Sequence, residues 1–302
     1  MPTHTRNRLT RALLAAALAA GAVTVTAAPA SAAVAVPSSA AAHAELVPSD
    51  APAVLGRAAI LIDAKSGRVH YDKKAAERMP VASLTKMMTA YVVLKHAKPA
   101  DVVEVAAADV RYGANGGAAV AGLRTGDRLT VEDALHALLL PSGADAAHLL
   151  ARTYGPGVDA FVAQMNATAR ELGMTDTHYV NADGMPTNGG GHSTAADQAR
   201  LAAAVLADPT LKSITSTKYH SVPATDDHGA YSWRNTNRLL GTAPGVIGVK
   251  TGYTRAAGYT LAFAADRAGT RLIGVILGES DSARRFDTAA ALLDWAAARP
   301  AA

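Results

Sequence analysis

The order in which strand-like and helix-like segments follow one another constrains the fold of this chain most. Short apolar runs typical of strands lie at 59–62 and 69–71, and again at 246–250, 259–264 and 271–277. Helical patterns fill the region between these two groups. A chain built in this order must bring its two ends into one sheet, with the helical block beside it. We therefore predict an α/β (α+β) fold, with an antiparallel sheet flanked by helices and an all-helical subdomain.

The central helices must pack closely, because alanine supplies much of the apolar content and fills little volume per residue. Thr130 resembles a helix start, with a hydroxyl cap followed by two acids, and Pro141-Ser142-Gly143 ends that helix. Residues 173–193 are rich in Gly, Asn, Asp and Thr and predict a long loop, a feature that is often functional. Helices are predicted over 83–96, 130–140, 144–153, 158–172, 194–207 and 282–298.

The first 32 residues have the pattern of an export signal. Three arginines within the first 11 residues precede an uncharged apolar stretch over 12–28, and Ala30-Ser31-Ala32 offers a small-residue cleavage site. An uncleaved membrane anchor is the alternative, although the stretch is short and alanine-rich for a spanning helix. We predict a signal peptide at 1–32, an Ala/Pro/Ser-rich spacer at 33–54 with order beginning near Ala58, and one domain at 55–298.

Charge and cysteine content exclude several classes of protein. Residues 1–32 carry three arginines and no acid, so their removal lowers the formal charge from +4 to +1 and leaves no basic footprint for nucleic acid. The absence of cysteine excludes a disulfide framework, a thiol nucleophile and cysteine-ligated metal sites. None of the ten histidines stands in a metal-ligand spacing, and no glycine-rich loop has phosphate-binding spacing. We predict no metal, no cofactor and no nucleic-acid partner.

Ser83-Leu84-Thr85-Lys86 is the first of three short motifs that can carry chemistry. A serine hydroxyl is a poor nucleophile near neutral pH and needs a base. Positions i and i+3 of a helix share one face, so the Lys86 amine can lie beside the Ser83 oxygen. Burial or a second cation would lower the pKa of Lys86 enough for it to act as that base. Taken alone, the motif is more often an ordinary capping serine and a solvated lysine.

Lys250-Thr251-Gly252 and Ser142-Gly143-Ala144 are the other two motifs. A cation and a hydroxyl at a predicted strand end suit a substrate carboxylate, and Lys250 can depress the pKa of Lys86. A serine on the helix-breaking loop can pass a proton to a leaving amine. A surface lysine and a capping serine are the ordinary interpretations of each motif alone. Together, behind an export signal, the three motifs favour acyl transfer through a serine nucleophile.

In this order the motifs resemble those of the penicillin-recognising serine peptidases, specifically the low-molecular-mass D-alanyl-D-alanine carboxypeptidases. The resemblance implies the penicillin-binding/β-lactamase-like fold, with the site between the sheet and the helical subdomain. We expect neither the second all-β domain nor the C-terminal anchor that many members carry. The similarity covers about residues 55–298 and includes the segments 59–67, 80–89, 181–185, 192–195, 235–240, 250–254, 257–259, 284–286 and 293–295.

The resemblance also implies the reaction. Ser83 is acylated by the penultimate D-alanine carbonyl of a peptidoglycan stem peptide, Lys86 is the general base, and Ser142 relays the proton to the leaving amine. Water then clears the acyl-enzyme in a carboxypeptidase, whereas an amine from another stem peptide clears it in a transpeptidase. The expected partners are the D-Ala-D-Ala end of the stem peptide and β-lactams, as covalent inhibitors. The expected location is extracytoplasmic and associated with the cell wall.

Four further residues receive substrate-binding roles from the resemblance, and a fifth, Gly252, receives its role from its residue type. Thr251 and Arg285 take the terminal carboxylate, and Lys250 supplies the electrostatic field. Gly252 allows the substrate backbone to approach the strand closely. The backbone N–H of Tyr253, with that of the serine nucleophile, forms the oxyanion hole, in which one lost donor costs roughly 3–4 kcal/mol.

The middle motif departs from the family at Ala144, where asparagine is usual. Alanine has no side-chain donor or acceptor for the substrate amide, which leaves open an altered rate, a preference for transpeptidation, or a penicillin-binding or stem-peptide-binding protein without turnover. The segment Gly116-Gly117-Ala118-Ala119 also lacks hydroxyls that many relatives carry. A β-lactamase would need a carboxylate base, and Glu171, the only glutamate between the second and third motifs, lies in a helix-end context.

Overall fold

The computed structural model of the protein describes Met1 and residues 45–299 except 188 and 268. Residues 2–32 of the predicted signal peptide and residues 33–44 of the predicted spacer lie outside the described residues. The strands are β1 Ala58–Asp63, β2 Val69–Lys73, β3 Val102–Glu104, β4 Arg128–Thr130, β5 Tyr219–Val222, β6 Tyr231–Arg234, β7 Val246–Thr254, β8 Gly258–Arg267 and β9 Thr270–Glu279. The helices are α1 Thr85–His96, α2 Ala107–Ala114, α3 Val131–Leu139, α4 Ala144–Tyr154, α5 Val158–Glu171, α6 Ala195–Ala207, α7 Pro209–Ser216 and α8 Arg284–Ala297.

The central sheet joins the two ends of the domain, as predicted. Its strand order is β2-β1-β9-β8-β7, and every neighbouring pair is antiparallel. Side chains alternate between the two faces of a strand. Ile60 and Ile62 of β1 therefore pack in the core shared with the helical block, while Leu61 packs in the core under α8. The α/β class and the flanked antiparallel sheet are confirmed.

The helical block is built around α1, which contacts α3, α4, α5 and α6. Met87, Met88, Val92 and Val93 of α1 are fully buried. Its neighbours present small side chains to it, and the fully buried alanines of α4 and α6 let these backbones approach one another closely. The expected close packing of alanine-rich helices is thus confirmed.

Two short antiparallel strand pairs and the short helices α2 and α7 were not predicted from the sequence. The strand pairs β3–β4 and β5–β6 have only three or four residues per strand, too few to display an alternating pattern. Tertiary contacts hold the second pair, the β5–β6 hairpin, in place. His220 Nε2 lies 2.7 Å from Asp133 Oδ1 of α3, and its ring stacks on His136 with centroids 3.7 Å apart. The hairpin is thereby fixed to the helix that leads to Ser142.

Ordered contact begins before the predicted start near Ala58. Leu46 exchanges backbone hydrogen bonds of 2.9 and 2.8 Å with Asp72 of β2. Asp50 accepts a hydrogen bond of 3.1 Å from Trp295 Nε1 of α8. The segment before β1 is held by isolated backbone and side-chain contacts, which leave no strand periodicity in its sequence. Its contacts with β2 and with α8 could therefore not be predicted from the sequence pattern.

Candidate active site

A cleft of about 830 Å³ opens between β7, the start of α1, the α3–α4 loop and the loop at 181–187. Seven of the eight site residues predicted from the sequence line this cleft, and Lys250 does not. The lining residues that bear on the chemistry are Ser83, Lys86, Tyr112, Gly116, Gly117, Ala118, Ala119, Ser142, Asp183, Thr236, Thr251, Gly252, Tyr253 and Arg285.

Ser83 lies in a short 3₁₀ turn, Ala82–Leu84, that runs directly into α1. This turn and the first turn of α1 bring Lys86 onto the same face. The Lys86 Nζ atom lies 3.1 Å from Ser83 Oγ and donates a 2.8 Å hydrogen bond to the backbone oxygen of Asp183. Lys86 is 1% exposed. The amine is held at hydrogen-bonding distance from the hydroxyl, in a site almost free of solvent.

Two lysines in this region have lowered pKa values, and burial is the main cause in both. It lowers the pKa of Lys86 to about 8, while the carboxylates of Asp183 and Asp145 act in the opposite direction. The pKa of Lys250 lies well below its usual value, chiefly through burial and further through the charges of Lys86 and Arg285. With a pKa near 8, roughly a tenth of Lys86 is neutral at pH 7. Desolvation, more than a neighbouring cation, therefore prepares Lys86 to accept a proton.

The loop predicted at 173–193 supplies one wall of the cleft. Asn181 closes its inner turn, since Oδ1 accepts 2.7 Å from the Gly184 N–H and Nδ2 donates 2.7 Å to the Met185 carbonyl. That turn directs the Asp183 carbonyl at the Lys86 amine. An asparagine and a glycine of the loop thus determine where the lysine points.

Ser142 lies on the α3–α4 loop with a left-handed φ of +71°. It is 7% exposed, and its Oγ has no hydrogen-bond partner among the described residues. Ala82, next to Ser83, also has a positive φ of +52°. Strained backbone of this kind persists only where the surroundings impose it, and it collects at functional sites. The hydroxyl of Ser142 is therefore available to a group that enters the cleft.

Ala144, the residue that departs from the family pattern, begins α4 and is fully buried. It is not among the residues that line the cleft. Its backbone N–H donates a 2.8 Å hydrogen bond to the Ala119 carbonyl, in the segment that forms the opposite wall. Ala144, the third residue of the middle motif, thus contributes a backbone contact and no polar side chain.

The Lys250-Thr251-Gly252 motif lies inside β7, so its expected position at a strand end was wrong. Pairing with β8 continues to Thr254. Lys250 is only 1% exposed, and its Nζ donates 2.9 Å to the Thr251 carbonyl. Gly252 does not end the strand but allows a close approach, because a Cβ there would lie 3.0 Å from the Ser83 nitrogen.

Tyr253 and Arg285 both lie near the C-terminal end of β7, but they differ in exposure. The Tyr253 side chain is exposed and stacks on Tyr259, with ring centroids 4.3 Å apart. Arg285 is 9% exposed and donates from Nη1 to the carbonyls of Gly252 at 2.8 Å and Thr260 at 3.1 Å. Part of the guanidinium is therefore committed to holding β7 and β8 together, while the residue still lines the cleft.

Thr236 is a cleft residue to which the sequence analysis assigned no role. Its Oγ1 lies 2.6 Å from Thr251 Oγ1, and its N–H donates 3.1 Å to the Leu140 carbonyl just before the Ser142 loop. Thr236 thus ties the β7 motif to the serine loop and places two hydroxyls side by side. Its only signal in the sequence was its place within the 235–240 segment.

Asp145 and Tyr112 were also missed. Asp145 is 2% exposed, and its carboxylate accepts hydrogen bonds of 2.9, 2.9 and 3.0 Å from the N–H groups of residues 121, 122 and 123. Burial, reinforced by the Asp183 carboxylate, raises the pKa of Tyr112. Tyr112 therefore stays protonated at the cleft wall. Asp145 holds the segment 121–123 in place through its three hydrogen bonds.

Comparison with known proteins identifies the family. A family model described as D-alanyl-D-alanine carboxypeptidase matches residues 45–281. The D-alanyl-D-alanine carboxypeptidase of Streptomyces sp. strain K15 is 34% identical over 256 residues, which cover 81% of this chain and 88% of the relative. The crystal structure of the Streptomyces K15 DD-transpeptidase has a TM-score of 0.77 at 33% identity and covers 81% of this chain and 98% of its own. The crystal structure of a D-alanyl-D-alanine carboxypeptidase from Mycobacterium tuberculosis H37Rv has a TM-score of 0.78 at 33% identity, with coverage of 85% and 97%. This chain belongs to the D-alanyl-D-alanine carboxypeptidase family.

Proposed function

We propose that this protein is a serine-type D-alanyl-D-alanine carboxypeptidase that forms an acyl-enzyme on Ser83. The observation that carries the proposal is the 3.1 Å separation between Ser83 Oγ and Lys86 Nζ. Burial, which lowers the pKa of that lysine to about 8, makes the pair a nucleophile and its base. Membership of a family of hydrolases supports the same reaction class.

In the acylation step, neutral Lys86 takes the proton of Ser83, and Oγ attacks the penultimate D-alanine carbonyl carbon. The oxyanion that forms accepts hydrogen bonds from the backbone N–H groups of Ser83 and Tyr253. When the carbon–nitrogen bond breaks, Lys86 returns the Ser83 proton through Ser142, whose hydroxyl gives one proton to the nitrogen of the leaving D-alanine and takes one from Lys86. The unpartnered hydroxyl of Ser142 supports this role, because it is free to bond a group in the cleft.

The substrate's terminal carboxylate is placed by the end of β7 in this proposal. The Thr251 hydroxyl, which is hydrogen-bonded to that of Thr236, offers a donor, and the Arg285 guanidinium adds positive charge. Lys250 does not enter the cleft; its Nζ donates to the Thr251 carbonyl and so supports this part of β7. Water then hydrolyses the acyl-enzyme, whereas the ring-opened leaving group of a β-lactam stays attached and slows its clearance.

Transpeptidation on the same site is the second candidate function. Two observations favour it. Ala144 removes the polar side chain usual at that position, and one of the similar solved structures is named a DD-transpeptidase. The acylation chemistry is the same in both reactions, so the difference lies in which nucleophile reaches the acyl carbonyl.

Product analysis tests the activity and separates the two reactions. Purified protein and its Ser83→Ala variant are incubated with a synthetic stem peptide that ends in D-Ala-D-Ala, with and without glycine as the amine. The proposal predicts D-alanine release by the parent and none by the variant, with the product mass distinguishing hydrolysis from transfer. If folded parent protein releases no D-alanine, the enzyme proposal is wrong and a binding protein without turnover takes its place.

The pH dependence of acylation follows from the pKa of Lys86. Only the neutral amine accepts the Ser83 proton, so the second-order acylation rate constant should rise about tenfold per pH unit up to pH 8 and then level off. Stopped-flow measurements with a chromogenic cephalosporin between pH 6 and 10 provide the profile. A rate that is constant from pH 6 to 8 would show that Lys86 is not the base.

We also propose that the protein works outside the cytoplasmic membrane, at the cell wall, where its stem-peptide substrate lies. The positively charged start and apolar stretch within residues 1–32 support export. Among the described residues, no helix is both long enough and apolar enough to cross a bilayer.

A further inference from the structure

A second groove, of about 850 Å³, adjoins the catalytic cleft. Thr236 and Arg285 line both spaces, so the groove is continuous with the end of the cleft where the substrate's terminal carboxylate is proposed to lie. Its other charged lining residues are Lys218, Arg234 and Arg238. None of the described residues that line it is acidic. We call this space the basic groove.

The cations of the basic groove are not neutralised by carboxylates of the described residues. Within the described ranges, Lys218, Arg234 and Arg238 form no ion pair with a carboxylate, whereas an arginine such as Arg78 lies 2.7 Å from Asp176. Arg234 instead stacks over the exposed ring of Tyr219, 5.5 Å from its centroid. This unpaired positive charge is concentrated in a chain whose formal charge after residue 32 is only +1.

Two buried donors on the same lining also lack partners among the described residues. Asn237 is 3% exposed, and its Oδ1 accepts from the Leu239 N–H while its Nδ2 has no partner. The Nε of Arg285 is likewise buried and unpaired. Buried donors are nearly always bonded, and each unmade bond costs about 1–3 kcal/mol. The four cations that line the basic groove, rather than these two solvent-inaccessible donors, favour a ligand that carries several negatively charged oxygens.

We propose that the basic groove binds the carboxylates of a second stem peptide, whose amine clears the acyl-enzyme. The inference rests on the proposed acyl-enzyme and names the acceptor site for it. The attacking amine must reach the acyl carbon from the side that the D-alanine nitrogen has left, because aminolysis retraces the path of departure. Thr236 and Arg285 lie at that end, and the basic groove extends beyond them. The acceptor chain therefore passes along the basic groove while its amine enters the cleft.

The transfer step balances without any further reactant. The amine nitrogen forms a bond to the acyl carbon, and the bond from that carbon to Ser83 Oγ breaks. The proton released by the amine returns through Ser142 to Ser83 Oγ. The basic groove contributes only binding energy and orientation, which raise the local concentration of the amine relative to water.

The test removes charge from the basic groove without touching the proposed catalytic residues. In the Lys218→Gln/Arg238→Gln double variant, transfer to the dicarboxylate glycyl-glutamate should fall about tenfold, as expected for two exposed ionic contacts. Transfer to the uncharged glycyl-glutaminamide and hydrolysis without acceptor should stay within about twofold of the parent. Arg170→Gln, an exposed site at the end of α5, is the control with the same type of charge change.

A direct binding measurement separates this inference from the proposed reaction. Calorimetric titration of Ser83→Ala protein with glycyl-glutamate requires no turnover, and binding should weaken about tenfold in the triple variant that adds the two groove substitutions. If the groove substitutions leave binding of glycyl-glutamate unchanged, the acceptor assignment is wrong. It is also wrong if poly(glycerol phosphate) binds the basic groove and glycyl-glutamate does not displace it. Failure of the proposed function would instead appear as absent D-alanine release with intact dipeptide binding.

Discussion

Replacing Lys86 with methionine is expected to lower the rate constant for acylation of Ser83 by about 10³- to 10⁴-fold, the range of a lost general base that acts as a unit with its nucleophile. Methionine has similar length and reach but cannot accept a proton. Lys86 is 1% exposed and its ammonium is disfavoured by burial, so an apolar side chain of this size should leave the fold intact. The acylation rate is measured with a fluorescent penicillin, and folding by thermal unfolding.

Lys95→Met provides the matched control on the same helix. Lys95 is exposed and pairs with Glu171 at 2.6 Å, and neither residue lines the cleft. Exposed ion pairs contribute only about 0–1 kcal/mol to stability, so this variant should acylate at the parent rate. If Lys86→Met retains more than a tenth of the parent rate, another group removes the Ser83 proton.

Replacing Gly184 with alanine is expected to slow acylation by at least about 10²-fold and to destabilise the fold by about 2–4 kcal/mol. Gly184 has a φ of +80°, and an added Cβ would lie 2.8 Å from Thr85 Oγ1 and closer still to the Ala82 carbonyl oxygen. Those atoms belong to the turn that carries Ser83. The clash must therefore displace either the nucleophile or the loop whose Asp183 carbonyl holds Lys86.

Gly190→Ala in the same loop separates this steric effect from backbone strain. Gly190 also has a positive φ, of +60°, but no atom lies within 4 Å of the position of its Cβ. Its substitution should lower stability by only about 1–2 kcal/mol and leave acylation unchanged. Thermal unfolding and penicillin acylation of both variants give the comparison. Equal loss of activity in the two would mean that the contact between Gly184 and the Ala82 turn does not position the nucleophile.

The architecture was predictable because its signals are periodic and ordered along the chain. Strand patterns at both ends predicted a shared sheet, and Ile60 and Leu61 indeed face opposite cores. The cap at Thr130 predicted the start of α3, and its hydroxyl accepts from the Asp133 N–H at 3.0 Å. These features depend on neighbours in sequence, which a pattern can display.

The burial of the site residues could not be predicted from the sequence in the same way. Lys250 was expected at a strand end and is buried within β7, because β8 pairs with the strand through Thr254. A lysine carries no sign in the sequence that the tertiary fold will bury it. The desolvation that lowers the pKa of Lys86 is likewise a property of packing between α1, β7 and the 181–185 loop.

Arg285 lies at the cleft, but its contacts could not be predicted from the sequence. The sequence analysis gave it the substrate carboxylate, and the structure puts it on the cleft wall. Its Nη1 nevertheless bonds the carbonyls of Gly252 and Thr260. Thr236, whose hydroxyl lies beside that of Thr251, had no individual signal, because the pair forms only when the chain folds.

The most direct test of the proposed acyl-enzyme is the mass of the protein after reaction with benzylpenicillin, followed by peptide mapping of the adduct. The account predicts one penicilloyl group on the peptide that contains Ser83, formed rapidly by the parent and by Lys95→Met. It predicts slow formation in Lys86→Met and none in Ser83→Ala. An adduct on Ser142, or no adduct in a parent protein shown to be folded, would contradict the assignment of Ser83 as the nucleophile.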